Sequence, residues 1–169
     1  MIISLDEARC PPVMLAIAYW RSIRYERSVP ARSALTLRGL APVLPYSLIV
    51  AVIDGGADYE YRYVGEAERQ AFQSYFKGVR LSQIEARAPA FGSVLRVVYD
   101  MARIDAAPFI IRGKVDHEVA GTETTFHETA FLPLGEKSSV VDHLLIVVVQ
   151  VPEAYHQLLA DQLRTLAKL

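Results

Sequence analysis

The chain is expected to adopt an α+β fold: a five-stranded antiparallel sheet covered by helices, with N- and C-terminal flanking helices. Three observations predict this. Five segments have the β-branched or alternating composition of strands. Turn signals such as Asp54-Gly55-Gly56-Ala57-Asp58 join neighbouring strands as hairpins. The internal helical segments fall between the second and third strands, where they can cover one face of the sheet.

At the N-terminus, Asp6 suits a helix N-cap and the Pro11-Pro12 pair a first helical turn. Val13, Ile17, Trp20 and Arg24 recur at helical spacing, with Ala16 and Ile23 beside them, so a helix is predicted to about Arg27. Val29-Pro30 breaks it. Gly39, Pro42 and Pro45 then limit "LTLRGLAPVLP" to a linker with one helical turn. "YSLIVAVID" (46–54) is the first strand and "YEYRYVG" (59–65) the second. The alternating tyrosines put Tyr59, Tyr61 and Tyr63 on one strand face. Tyr63 is expected near the helical cover and Tyr59 near the exposed hairpin turn.

Residues 66–88 read as short helices interrupted at Gly78. Pro89 opens a longer helix whose apolar stripe is Phe91, Val94, Leu95, Val98, Met101 and Ala102, and Pro108 closes it. Three strands follow in "FIIRGKVDHEV", "ETTFHETAFLPL" and "SVVDHLLIVVVQV", with turns at Gly121 and "GEKSS". The last strand is almost wholly apolar, as for a central strand covered on both faces. "PEAYHQLLADQLRTLAKL" is a terminal helix with Tyr155, Leu159, Leu163 and Leu166 as its stripe. The expected organisation is an N-terminal helix and linker (1–45), a core (46–151) and a C-terminal helix (152–169).

Composition excludes several function classes. The chain has 169 residues, 52% of them apolar, and suits one domain. A chain of this size buries roughly 70% of its unfolded surface and needs no disulfide staples. With 18 basic and 19 acidic residues, nothing suggests a nucleic-acid surface. Arg21, Arg24, Arg27, Arg32 and Arg38 cluster with Glu26 as the only acid, which fits either a local anion or partner contact or a solvated face. Cys10 is the sole cysteine, which rules out a disulfide framework and fits a reducing cytoplasm. The apolar run "PPVMLAIAYW" is too short to span a bilayer, and no small-residue cleavage site follows it. A cytoplasmic location is expected.

No phosphate loop, dinucleotide fingerprint, "GxSxG" or "HExxH" occurs. His117, His127 and His143 lie near acids on predicted strands. Strand neighbours point to opposite faces, so Asp116/His117 and Asp142/His143 are not ready-made dyads, although cross-strand pairing could join His117 to His127. Tyr59, Tyr61, Tyr63, Phe72, Phe76, Phe91, Tyr99 and Phe109 flank the predicted helix–sheet space. Such a set serves a small-molecule pocket or an ordinary core.

The order strand–strand–short helices–long helix–three strands is that of the PAS fold. Gly65 and Gly78-Val79-Arg80-Leu81 resemble the small residue and "G-x-x-L" turn that follow the second PAS strand. "YWRSIRYERSVPAR", "LAPVLPYSLIVAVID", "YRYVG" and "FHETAFLPL" resemble a family of small, often stand-alone bacterial PAS proteins over about residues 19–151. The resemblance implies a cytoplasmic sensor or adaptor that binds a small molecule or signals through protein–protein contacts. PAS relatives commonly dimerise through flanking helices, which implies a homodimer. No functional residue set carries over. Light-sensing flavin-binding PAS types carry a reactive Cys on a middle helix, the type with a thioester-bound chromophore needs a core Cys, and haem-binding types usually use a His on the long helix; these residues are missing, so no cofactor is expected. If a ligand binds, the expected walls of its site are Tyr63, Phe91, Leu95, Val98 and Tyr99, between the long helix and the sheet. Two alternatives stay open: a small cofactor-free enzyme of a cone-shaped α+β fold using a His/Asp pair, and an interaction domain with a filled core.

Overall fold

The computed structural model describes residues 1–72, 77–115, 125–137 and 139–152. Its centre is an open antiparallel sheet. Strand β1 is Ile2–Ile3, β2 Ser47–Ile53, β3 Asp58–Val64, β4 Phe109–Val115, β5 Thr125–Leu134 and β6 His143–Pro152. Their order across the sheet is β1-β4-β5-β6-β2-β3. The sheet therefore has six strands, one more than expected. The extra strand is β1, in which Ile2 and Ile3 pair with Ile111 and Ile110. Two residues are too few to show a strand period, so pattern alone could not find it.

The β2–β3 hairpin turns through Asp54–Gly56, where Gly55 (φ 69°) and Gly56 (φ 107°) take backbone angles that side chains disfavour. Strand β6 is central, between β5 and β2. Its side chains alternate between two separate cores: Leu145, Val147 and Val149 enter one, Leu144 and Ile146 the other. Burial on both faces explains why β6 is apolar from Leu144 to Val149.

Helix α1, Pro11–Arg24, covers the first of those faces. Val13, Ala16, Ile17 and Trp20 are its buried stripe. Trp20 is almost wholly buried, and its indole N–H donates to the Pro133 carbonyl at 2.8 Å. The helix is shorter than the predicted one at both ends. Leu5–Glu7 forms a separate 3-10 turn, and Tyr25 leaves the helix at φ 51°. Asp6 caps nothing and instead pairs with Arg21 at 2.9 Å. The linker adds the short helix α2, Leu37–Leu40, whose Thr36 cap accepts the Gly39 amide. Three arginines of the basic cluster are engaged within the chain: Arg21 with Asp6, Arg24 over the Trp20 ring, and Arg27 on the Val29, Gly135 and Glu136 carbonyls.

Glu128 pins the N-terminal segment to this side of the sheet. Its carboxylate is fully buried on β5. Oε1 accepts the Arg9 and Cys10 amides at 2.9 Å each, just before α1 begins, and Oε2 accepts Arg112 Nε and Nη2 at 2.9 and 2.7 Å. These donors supply the hydrogen bonds that a buried carboxylate requires.

Three helices lie between β3 and β4: α3 Glu66–Phe72, α4 Leu81–Arg87 and α5 Pro89–Asp105. Gly78, at φ 81°, lies between α3 and α4. A Cβ on Gly92 would lie 2.6 Å from the Glu85 Cα, so this glycine lets α5 approach α4 closely. Arg96 clamps the same pair of helices with bonds to Glu85 at 2.6 and 2.8 Å. The predicted C-terminal helix, the Gly121 turn, His117, His156 and Phe76 lie outside the described residues. Among the described residues, no helix is long and apolar enough to cross a membrane.

Candidate functional site

The second half of α5 seats Val98, Tyr99 and Ala102 in the core on the α4–α5 side of the sheet. Its first half does not close onto the sheet. Phe91, Val94 and Leu95 line a cavity of about 410 Å³ there, and Phe91 and Val94 remain exposed at its edge. That volume falls within the usual range for small-molecule sites.

Strand register builds the floor. Leu48, Ile146 and Phe131 form one cross-strand row; Val148, Thr129 and Ile111 form the next; Gln150 and His127 form a third. The floor thus passes from an apolar first row, through a second row with one hydroxyl, to a polar third row. From Ile146 to Gln150 the strand advances about 13 Å at ~3.3 Å per residue. Tyr61 and Val64 of β3, Ile84 of α4 and Glu68 of α3 complete the lining.

Four of the five predicted wall residues line this cavity: Phe91, Leu95, Val98 and Tyr99. Tyr63 does not. Its side chain packs with the α1-side core, and its hydroxyl donates to the Leu44 carbonyl at 3.2 Å. The cause is a β-bulge. Ile49 pairs with Tyr63 but Val50 pairs with Tyr61, leaving Arg62 as the extra residue. An extra residue reverses the alternation of everything beyond it. Tyr59 and Tyr61 therefore face α5, Tyr63 faces the other side, and Val64 takes the cavity position. Tyr59 is also not exposed at the hairpin turn; it is fully buried. Ser82 of α4 donates to Asp58 at the start of β3, and Tyr59 donates to Asp100 of α5 at 2.6 Å, so the helices cover this end of the strand.

The tyrosines form a packed group. Tyr99 meets Tyr59 edge-on at 5.2 Å between ring centroids, and its hydroxyl lies 2.8 Å from that of Tyr61. Burial pushes the Tyr61 phenol up to about 12 and Tyr99 well above its ordinary range. Both stay protonated at neutral pH. Tyr99 lies outside the apolar stripe read from the sequence of α5, yet it is one of the most buried side chains of that helix.

Among the described residues, Glu68 is the one acid lining the cavity. It is 3% exposed, and among the described residues its Oε2 has no hydrogen-bond partner. Its position explains why. Gly65 precedes α3, and Arg69 makes the first helical bond to its carbonyl. A glutamate in the third position of a helix often reaches back to the amide of the cap residue. Here the Gly65 amide already donates to the Ser47 carbonyl at 2.8 Å. Gly65 is further held by close packing, since a Cβ there would fall 2.2 Å from the Pro45 oxygen. The neighbouring Arg69 pairs with Glu66. Burial without compensation pushes the Glu68 carboxyl up to about 7.

His127 sits at the other end of the floor. Its Nδ1 is 3.4 Å from Thr129 Oγ1, and burial, with a smaller effect from the N-terminal ammonium, holds its pKa below the usual histidine value. His143 does pair with its sequence neighbour, contrary to the strand-alternation argument: Nδ1 lies 2.7 Å from Asp142 Oδ1. The reason is that Asp142 precedes β6 and escapes the alternation. This pair is not part of the cavity lining; Asp142 also accepts the Glu136 amide and so fastens the loop before β6. Among the described residues no group of three or more His, Cys, Asp or Glu side chains could hold a metal ion. Cys10 is buried on the α1 side and burial pushes its thiol up to about 12, which leaves it unreactive.

Comparison of the chain with family models, with curated proteins and with solved structures finds no match.

Proposed function

We propose that the chain is a PAS-like cytoplasmic sensor or adaptor whose cavity beneath α5 takes a small, predominantly apolar molecule. The observation that carries this reading is the cavity itself. Its walls are aromatic and aliphatic, and a few polar groups converge on it: the Tyr61–Tyr99 hydroxyl pair, Glu68, His127 and Gln150. This combination gives both apolar contact and orientation to a ligand. The element order β2-β3, short helices, α5, then β4-β5-β6 supports the PAS-like part of the reading. The catalytic alternative is weaker, because the His143–Asp142 pair does not line the cavity.

Output through a protein partner or a second copy of the chain belongs to the same proposal. The α1 stripe is buried against its own sheet and is not available for self-association. The stripe expected from the sequence at Tyr155, Leu159, Leu163 and Leu166, outside the described residues, is the candidate contact.

Thermal melts of the wild-type chain and of Leu95→Trp against a panel of small metabolites test the ligand reading. A compound that raises the wild-type midpoint but not that of Leu95→Trp is the expected result. A panel that shifts neither protein, with no small molecule released from the purified wild type on denaturation, would overturn it.

A further inference from the structure

We propose that the cavity is selective for apolar amines, with Glu68 receiving the ammonium group. This rests on the reading of the cavity as a ligand site and names the class of ligand.

Glu68 is more than nine-tenths buried, faces the cavity, and has an Oε2 without a hydrogen-bond partner among the described residues. A buried carboxylate oxygen without a donor is costly, and native proteins satisfy nearly all such atoms. Of the nearby donors, the Gly65 amide bonds Ser47 and Arg69 Nη2 pairs with Glu66. Among the described residues no Lys or Arg lines the cavity, and His127, whose pKa burial lowers, is the only basic group there. Among these residues the lining therefore offers an anion no fixed positive charge and sets a carboxylate against it. A ligand carboxylate would meet like-charge repulsion; an ammonium would complete a charge-assisted hydrogen bond in a poorly hydrated setting. The rest of the molecule would lie on the apolar floor between Ile146 and Val148 and beneath Leu95.

Calorimetric titration of the full chain with 2-phenylethylamine, 2-phenylethanol and phenylacetate tests this. These probes share one apolar body and differ in the head group. For the wild type the expected order is amine at least tenfold tighter than alcohol, with the acid weakest. Glu68→Gln should abolish the preference for the amine, so that amine and alcohol bind within about twofold of each other; the substitution keeps shape and removes charge. Leu95→Trp should weaken all three. Equal binding of amine and alcohol by the wild type, tighter binding of the acid, or an amine preference that survives Glu68→Gln would overturn the assignment and leave the cavity reading standing. Failure of all three probes to bind the wild type at millimolar concentration would overturn both.

Discussion

Tyr61 and Tyr99 share a hydrogen bond of 2.8 Å between hydroxyls carried by β3 and α5, so the sheet and its long helix are joined by a polar contact inside an apolar core. Either single Phe substitution leaves the other hydroxyl buried without this partner. Each should cost about 1–2 kcal/mol, because the net bond is lost and the remaining hydroxyl gives up a buried partner. The double variant removes both hydroxyls and should lose less than the sum. Urea unfolding of the four proteins gives the coupling. Strict additivity would show that the two hydroxyls do not stabilise each other.

Glu68 makes stability depend on pH in a definite direction. Burial lifts its pKa from 4.5 to about 7, so the folded chain holds this proton more tightly than the unfolded chain. Its contribution is full below pH 4.5 and is lost as pH rises through 7. Around it, Tyr61 and Tyr99 stay protonated over this window, Arg69 is paired with Glu66, and His127 is common to both proteins compared. Glu68→Gln should match the wild type near pH 4.5 and exceed it at pH 8 by on the order of 3 kcal/mol. Chemical denaturation at a series of pH values checks this; a constant difference would show that Glu68 is not desolvated.

Leu95→Trp separates a cavity from a filled core. Leu95 lines the cavity and is only partly buried, so the larger ring has space to enter. The variant should lose less than about 1 kcal/mol, against the 1–3 kcal/mol typical of overpacking. A thermal melt decides between the two, and a large drop would mean that this side of α5 is closely packed.

Glu128→Ala should be among the most damaging single changes. It strands the Arg112 guanidinium, which is 11% exposed, and frees the Arg9 and Cys10 amides. Removing one partner of a buried pair costs about 3–5 kcal/mol. Hydrogen exchange should also show weakened protection in β1, because the Met1 ammonium and carbonyl bond the Arg112 backbone. Unchanged protection there would show that Glu128 does not hold the N-terminal segment.

Much of the fold was legible in the sequence because long elements repeat their pattern. β6 reads as a central strand from "LLIVVVQV", and α5 runs from Pro89 to Asp105, where Pro89 and Pro108 suggest. Short elements carried no such signal, so β1 and the 3-10 turn at Leu5–Glu7 were not visible. The site was legible where it depends on one helix: Phe91, Leu95 and Val98 follow from spacing along α5. It was not legible where it depends on pairing between elements. Tyr63 was misplaced because the bulge at Arg62 is a relation between β2 and β3, and neither strand's own pattern contains it. Glu68 reads as one of two acids on a short helix; its isolation from the cap amide follows from the Gly65–Ser47 bond, which local sequence does not reveal.

The bulge at Arg62 sets the parity of β3. Removing Arg62 itself would leave Tyr61 opposite Val50, Tyr63 opposite Ile49 and Val64 opposite Leu48, so every side chain would keep its face. Pairing the full-length strand without the bulge would instead set Arg62 opposite Ile49, on the α1 side, and Tyr63 opposite Leu48, on the cavity side. The irregular step in the ladder is thus what keeps a guanidinium out of the α1-side core and an aliphatic side chain, Val64, in the cavity wall.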